Sequence, residues 1–169
     1  MDDRAEQAFA EYFRARRDVV RRTAYLLCGD WHRADDHAQA AFVALHRHWQ
    51  RIRDPHALDA WVRRTLVRAV VDESRRPWRR ERFVERLPDT ASSSAPDVAT
   101  RTALVDALRS VPPRQRAVLV LRYLEGLDVA GTAAALGCSP GTVKSQTAHG
   151  LAALRAVLGD SLDDMRAAG

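Results

Sequence analysis

Apolar positions recur at helical spacing through most of the chain, and the breaks between these runs fall at residues that end or start helices. Phe9, Phe13, Val20, Ala24 and Leu27 form a first stripe, which Cys28-Gly29-Asp30 interrupts. A second helix, opening between His32 and Asp35, carries Ala38, Ala41, Phe42, Leu45 and Trp49 inward and leaves Asp35, Asp36, Gln39, Val43 and Arg47 outside the stripe. Asp54-Pro55 then makes a turn. Beyond it Leu58, Trp61, Val62, Thr65, Leu66 and Ala69 supply a third stripe, with Arg64, Arg68 and Arg75 on the opposite face. Glycine is absent between Asp30 and Glu125 and few segments are rich in β-branched residues, so the pattern predicts an all-α protein.

The carboxy-terminal third has a more specific punctuation. Pro112-Pro113-Arg114-Gln115-Arg116 opens a helix carrying Ala117, Val118, Leu121 and Leu124, and Asp128 precedes a short helix of small residues, Val129 to Leu136. Gly137 supplies a sharp turn, Ser139 is a favoured N-cap, and Pro140 fits a first helical position where its missing N–H costs nothing. From there Val143, Thr147, Leu151, Leu154 and Leu158 face a core, while Thr142, Ser145, Gln146 and His149 form a short polar face. Two close-packed helices joined this way make a helix-turn-helix, whose second helix enters a DNA groove. Nucleic acid is therefore the first partner to consider; the plain alternative is an alanine-rich structural hairpin.

Between the two apolar regions lies Leu87 to Asp97, rich in proline and serine and poor in large apolar residues, which reads as a flexible linker. The reading is of two small helical domains, 1–86 and 101–169, joined by a flexible linker over 87–100. A net charge of +5 suits phosphate binding. Its distribution says more: Arg75, Arg76, Arg79, Arg80, Arg82 and Arg86 crowd the end of the first domain around Trp78, an aromatic that can either stack on an unpaired base or pack locally. Lysine occurs once, at Lys144, and the arginine and alanine bias reflects a GC-rich genome.

Cys28 and Cys138 are far apart, and the histidines lack ligand spacing, so no disulfide scaffold, metal or cofactor is indicated. No nucleophile-and-base arrangement points to an enzyme. Neither a signal peptide nor a span of about 20 apolar residues is present, which predicts a cytoplasmic protein with no membrane insertion.

Tyr25 to Trp31 and Ala34 to Phe42, Ile52 to Trp61, Val67 to Asp72, Val111 to Tyr123 and Leu136 to Ser145 together resemble the extracytoplasmic-function (ECF) sigma factors of the sigma-70 superfamily. These are initiation factors carrying sigma regions 2 and 4. The resemblance spans nearly the whole chain. Some positions depart from the pattern: His37 and Ala40 stand where an aliphatic residue and a glutamate are usual, and Arg68 stands where the family typically has a base-reading asparagine. Gly131 replaces a usual glutamate, and Gln146 and His149 replace usual arginines. Arginine can contact phosphate or guanine but cannot copy the donor and acceptor pair of an amide.

The resemblance implies a non-enzymatic factor that binds core RNA polymerase and directs promoter recognition and opening, with an anti-sigma protein as regulator. It assigns polymerase binding to Asp35, Asp36, Gln39 and Val43. It assigns minus-ten DNA to Arg53, Asp54, His56, Trp61, Arg64, Arg68, Arg75, Arg76, Trp78, Arg79 and Arg80, with Ile52 to Trp61 as the base-capturing loop. Minus-thirty-five DNA falls to Ser139, Thr142, Lys144, Ser145, Gln146 and His149. A stand-alone helix-turn-helix regulator would explain Leu136 to Ser145 but not the Asp36 and Gln39 face.

Overall fold

A computed structural model of the chain describes residues 1–76 and 96–167, with the side chains of 96–101 and 160–167 outside the described set. The described residues are helical and contain no strand. Helix α1 spans Asp3–Cys28, α2 Trp31–His48 and α3 Leu58–Ser74. In the second half α4 spans Pro96–Arg109, α5 Pro113–Leu119, α6 Val129–Leu136 and α7 Pro140–Ala167. Helix α4 begins inside the stretch read as linker; the rest of that stretch, 87–95, lies outside the described residues.

The second helix opens at Trp31, a residue ahead of the His32 to Asp35 start its pattern suggests, because Asp30 caps it. Asp2, Asp30 and Asp128 each cap a helix by accepting a backbone N–H three residues on, at 2.8, 2.9 and 2.7 Å. Gly29 and Gly137 close α1 and α6 in the left-handed region, at φ 73° and 66°, where a side chain is strained. Helix α5 runs into a five-residue π-turn, Val120–Leu124. The wider turn shifts the helical phase of the residues at its end. Leu121 is fully buried, whereas Tyr123 and Leu124 face solvent.

Helices α1, α2 and α3 pack mutually as a three-helix bundle, and α7 packs across α4, α5 and α6. The first bundle has an aromatic end, where Phe13 meets Phe42 edge-on at 4.9 Å and Phe9 meets Trp49 at 5.3 Å. Gly150 lets α7 approach α5 closely, since a Cβ there would lie 3.1 Å from Leu119 Cγ.

The two bundles do not sit apart. Helix α3 packs on α5 and α6, and α1 packs on α4 and α5. One hydrophobic cluster runs from Val20, Leu27 and Leu66 to Leu108, Val111, Leu119, Leu121 and Ala135. This accounts for a second buried face on α3 that the stripe from Leu58 to Ala69 did not include: Val67, Val70 and Val71 are also buried.

Candidate nucleic-acid interface

Three of the sequence-assigned surfaces can be placed. The first lies on α2. Asp35, Asp36, Gln39 and Val43 are exposed along one side, and Val43 is 45 % exposed although apolar. Asp35, Gln39 and Val43 border an open groove of about 670 Å³ between α1 and α2, whose apolar wall includes Phe9, Phe13, Ala38 and Phe42. Arg21 pairs with Asp35 across the groove, its Nε and Nη2 donating to the two carboxylate oxygens. These hydrogen bonds hold the Asp35 carboxyl below the ordinary aspartate range. Arg21 also lies 4.2 Å over the Trp31 ring, which stacks on Tyr25.

The second surface is the loop and helix from Arg53 to Arg76. Arg53, Asp54 and His56 are exposed on a loop whose shape Asp54 fixes, its Oδ1 accepting the His56 N–H at 2.9 Å. Arg64, Arg68, Arg75 and Arg76 are exposed along and just beyond α3, a row of guanidinium groups suited to phosphate. Trp61 is half-buried against the core and lies 5.5 Å from His48, so only part of its ring faces outward. Trp78, Arg79 and Arg80 lie outside the described residues.

The third surface is the start of α7. Ser139 accepts the Thr142 N–H at 3.1 Å, and the two hydroxyls are 2.9 Å apart, so this cap is already ordered. Lys144, Ser145 and His149 are exposed; Thr142 and Gln146 are half-buried. Val143 is fully buried against Val118 and Ala133, which fixes which face of the helix turns outward.

The second and third surfaces meet. A Cβ built on Gly137, in the turn before α7, would lie 3.0 Å from Arg68 Nη2, so the Arg68 guanidinium rests against that turn.

Sequence reasoning missed the polar groups that join the bundles. Arg116 is 5 % exposed and its guanidinium donates to four carbonyls. Nε donates to Leu108 O at 2.7 Å and Nη1 to Leu27 O at 2.9 Å, while Nη2 donates to Val111 O at 2.9 Å and Arg109 O at 3.2 Å. A cation thus sits at the carboxy-terminal ends of both α1 and α4, where helix dipoles favour positive charge. Burial pushes the guanidinium down to about 10, still well above neutrality, so it stays charged. Arg109 donates to Gly29 O, and Thr23 Oγ1 donates to Glu125 at 2.5 Å with Arg63 3.6 Å from the same carboxylate. The signal available was an arginine set directly against the apolar run from Ala117 to Leu121. Within the first bundle, Glu73 of α3 pairs with both Arg33 and His37 of α2. His37 thus has a carboxylate partner where an aliphatic residue was expected.

Helices arranged around an ordered helix-turn-helix, with a basic helical face beside it, define a DNA-binding protein built from two small α-helical units. The family description "Sigma-70 region 2" matches residues 12–80, and "Sigma-70, region 4" matches residues 101–154. The chain is 39% identical over 153 residues to the RNA polymerase sigma-E factor of Streptomyces coelicolor, covering 87% of this chain and 84% of that protein. It is 33% identical over 159 residues to the ECF RNA polymerase sigma factor SigM of Mycobacterium tuberculosis, covering 90% and 78%. In fold it is similar to the sigma factor RpoE solved in complex with the anti-sigma factor NepR from Bartonella quintana. That match has a TM-score of 0.70 and 20% identity and covers 90% of this chain and 98% of that one. The chain belongs to the ECF sigma factors of the sigma-70 superfamily.

Proposed function

We propose that this alternative sigma factor divides initiation between its two halves, residues 1–86 holding core RNA polymerase and the minus-ten element and residues 101–169 reading the minus-thirty-five element. The display of Asp35, Gln39 and Val43 along one apolar groove carries this reading, because a polymerase helix needs such a mixed edge to dock. Asp36 extends the same edge. A stand-alone helix-turn-helix regulator would need neither this groove nor the region 2 match.

The factor positions; the polymerase does the chemistry. Arg53, Asp54, His56 and Trp61 border the space for an extruded base, whose unstacking costs a few kcal/mol. Arg64, Arg68, Arg75 and Arg76 neutralise nearby phosphates and, with Trp78, Arg79 and Arg80, offset that cost. Ser139, Thr142, Lys144, Ser145, Gln146 and His149 face the upstream duplex. Its place of action is the cytoplasm, with the polymerase. Among the described residues no helix is long and apolar enough to cross a membrane. An anti-sigma protein is the further partner in this reading.

The test is complex formation. The parent should elute with purified core polymerase in a one-to-one complex, and Asp36→Arg should weaken that complex at least tenfold while folding normally. Parent-like binding by Asp36→Arg would remove the groove edge from the polymerase interface.

A further inference from the structure

We propose that His48 is a specificity-determining residue of this factor: its Nε2 accepts a hydrogen bond from the amino group of an extruded minus-ten adenine or cytosine and so disfavours guanine and thymine. This rests on the reading of Ile52 to Trp61 as the base-capturing loop. Helix α2 ends at His48 and α3 begins at Leu58, so His48 and Trp61 stand at the two ends of that loop. Their ring centroids are 5.5 Å apart at an interplanar angle of 39°, which makes an inner corner and not a stacked pair. Both residues are half-buried. A base resting on the outward part of the Trp61 ring brings its edge to the imidazole.

The backbone decides which nitrogen does what. His48 Nδ1 donates to Ala44 O, one turn back in α2, at 2.8 Å. A carbonyl oxygen can only accept, so in the neutral ring the proton sits on Nδ1 and Nε2 carries the lone pair. Among the described residues Ala44 O is the ring's only hydrogen-bond partner. The other side chains assigned to this site bring mostly donors: the guanidinium groups of Arg53 and Arg68 and the indole N–H of Trp61. Asp54 is an acceptor, but its Oδ1 holds the His56 N–H and its charge is repelled by phosphate. His48 thus adds a neutral acceptor whose orientation the fold fixes. Adenine N6 and cytosine N4 are donors, whereas guanine O6 and thymine O4, in the same places, are acceptors whose lone pairs would meet that of Nε2.

The test uses holoenzyme reconstituted from core polymerase and the full chain, at about pH 8, where an imidazole is neutral. The template is a promoter it transcribes, premelted over the minus-ten element. Each non-template base is varied in turn, and adenine or cytosine is also replaced by purine or pyrimidin-2-one, which lack the amino group. At one position run-off at limiting holoenzyme should fall about fivefold when the amino group is removed, the worth of one neutral hydrogen bond. His48→Phe keeps a ring against Trp61 without its nitrogens and should make the two kinds of template equal. His48→Gln, whose amide oxygen accepts, should restore part of the preference. If phenylalanine prevents folding, His48→Ala gives the same comparison. No amino preference in the parent, or an undiminished one in His48→Phe, would overturn the assignment; so would a uniform loss on every template, which marks a phosphate or packing role. Arg53→Ala with His56→Ala, on the exposed loop, separates this proposal from the loop reading beneath it. If that pair reorders the bases while His48→Phe does not, the loop stands and His48 falls; if neither does, both fall.

Discussion

Replacing Arg116 by methionine should cost the folded chain about 3 kcal/mol, more than most single substitutions cost. The side chain keeps similar length and apolar stem, so little cavity is made; what disappears is the guanidinium and its four carbonyl contacts between 2.7 and 3.2 Å. A hydrogen bond to a charged group contributes about 1.5–3 kcal/mol, while burying an unpaired guanidinium would cost several kcal/mol. Methionine also relieves that desolvation cost, which is why the net falls far below four times the single-bond value. Leu108 O retains the Val111 N–H at 3.1 Å, so the heaviest loss falls on Leu27 O, at the junction of the halves. With a urea slope of about 2 kcal/mol/M, the midpoint followed by far-UV circular dichroism should drop by about 1.5 M. Arg116→Lys, which keeps the charge without the planar fork, should fall between parent and methionine variant. A methionine midpoint within about 0.3 M of the parent would refute the reasoning, because desolvation would then have cancelled the hydrogen bonds.

Arg21→Gln should return the Asp35 carboxyl, followed by NMR titration, to the ordinary aspartate value of 3.8 from below it. Because the folded-state value is lowered, the stability this pair adds is present above pH 3.8 and is lost as pH falls through the folded value; a midpoint indifferent to Arg21 would contradict the pairing. Arg68→Asn should reorder the ranking of minus-ten variants in run-off transcription at one salt concentration, since an amide and a guanidinium read different base edges. Uniformly lower output in the same order would make Arg68 a phosphate clamp instead.

Much of the local structure was legible because it is decided locally. Asp30, Asp128, Ser139, Gly29 and Gly137 occupy the cap positions that their chemistry favours, and the stripes on α1 and α2 face inward as their spacing requires. The polar face of α7 was legible for the same reason, since Val143 fixes its rotation. What the pattern concealed depends on contacts between distant segments. Val67, Val70 and Val71 lie off the stripe of α3 and are buried because α5 and α6 cover that side. Arg116 looked like one more arginine in an arginine-rich chain, and its burial comes only from two helix ends converging in space. Leu124 reads as part of an apolar run, yet the π-turn carries it outward.

As a sigma factor this chain confers promoter recognition on a polymerase that lacks it. Run-off transcription from a library of upstream regions, with purified core polymerase plus or minus the full chain, tests it most directly. Discrete transcripts should appear only when the chain is present, with start sites sharing two upstream elements, one for each helical unit. Transcripts unchanged by the chain, under conditions where it binds the polymerase, would contradict it.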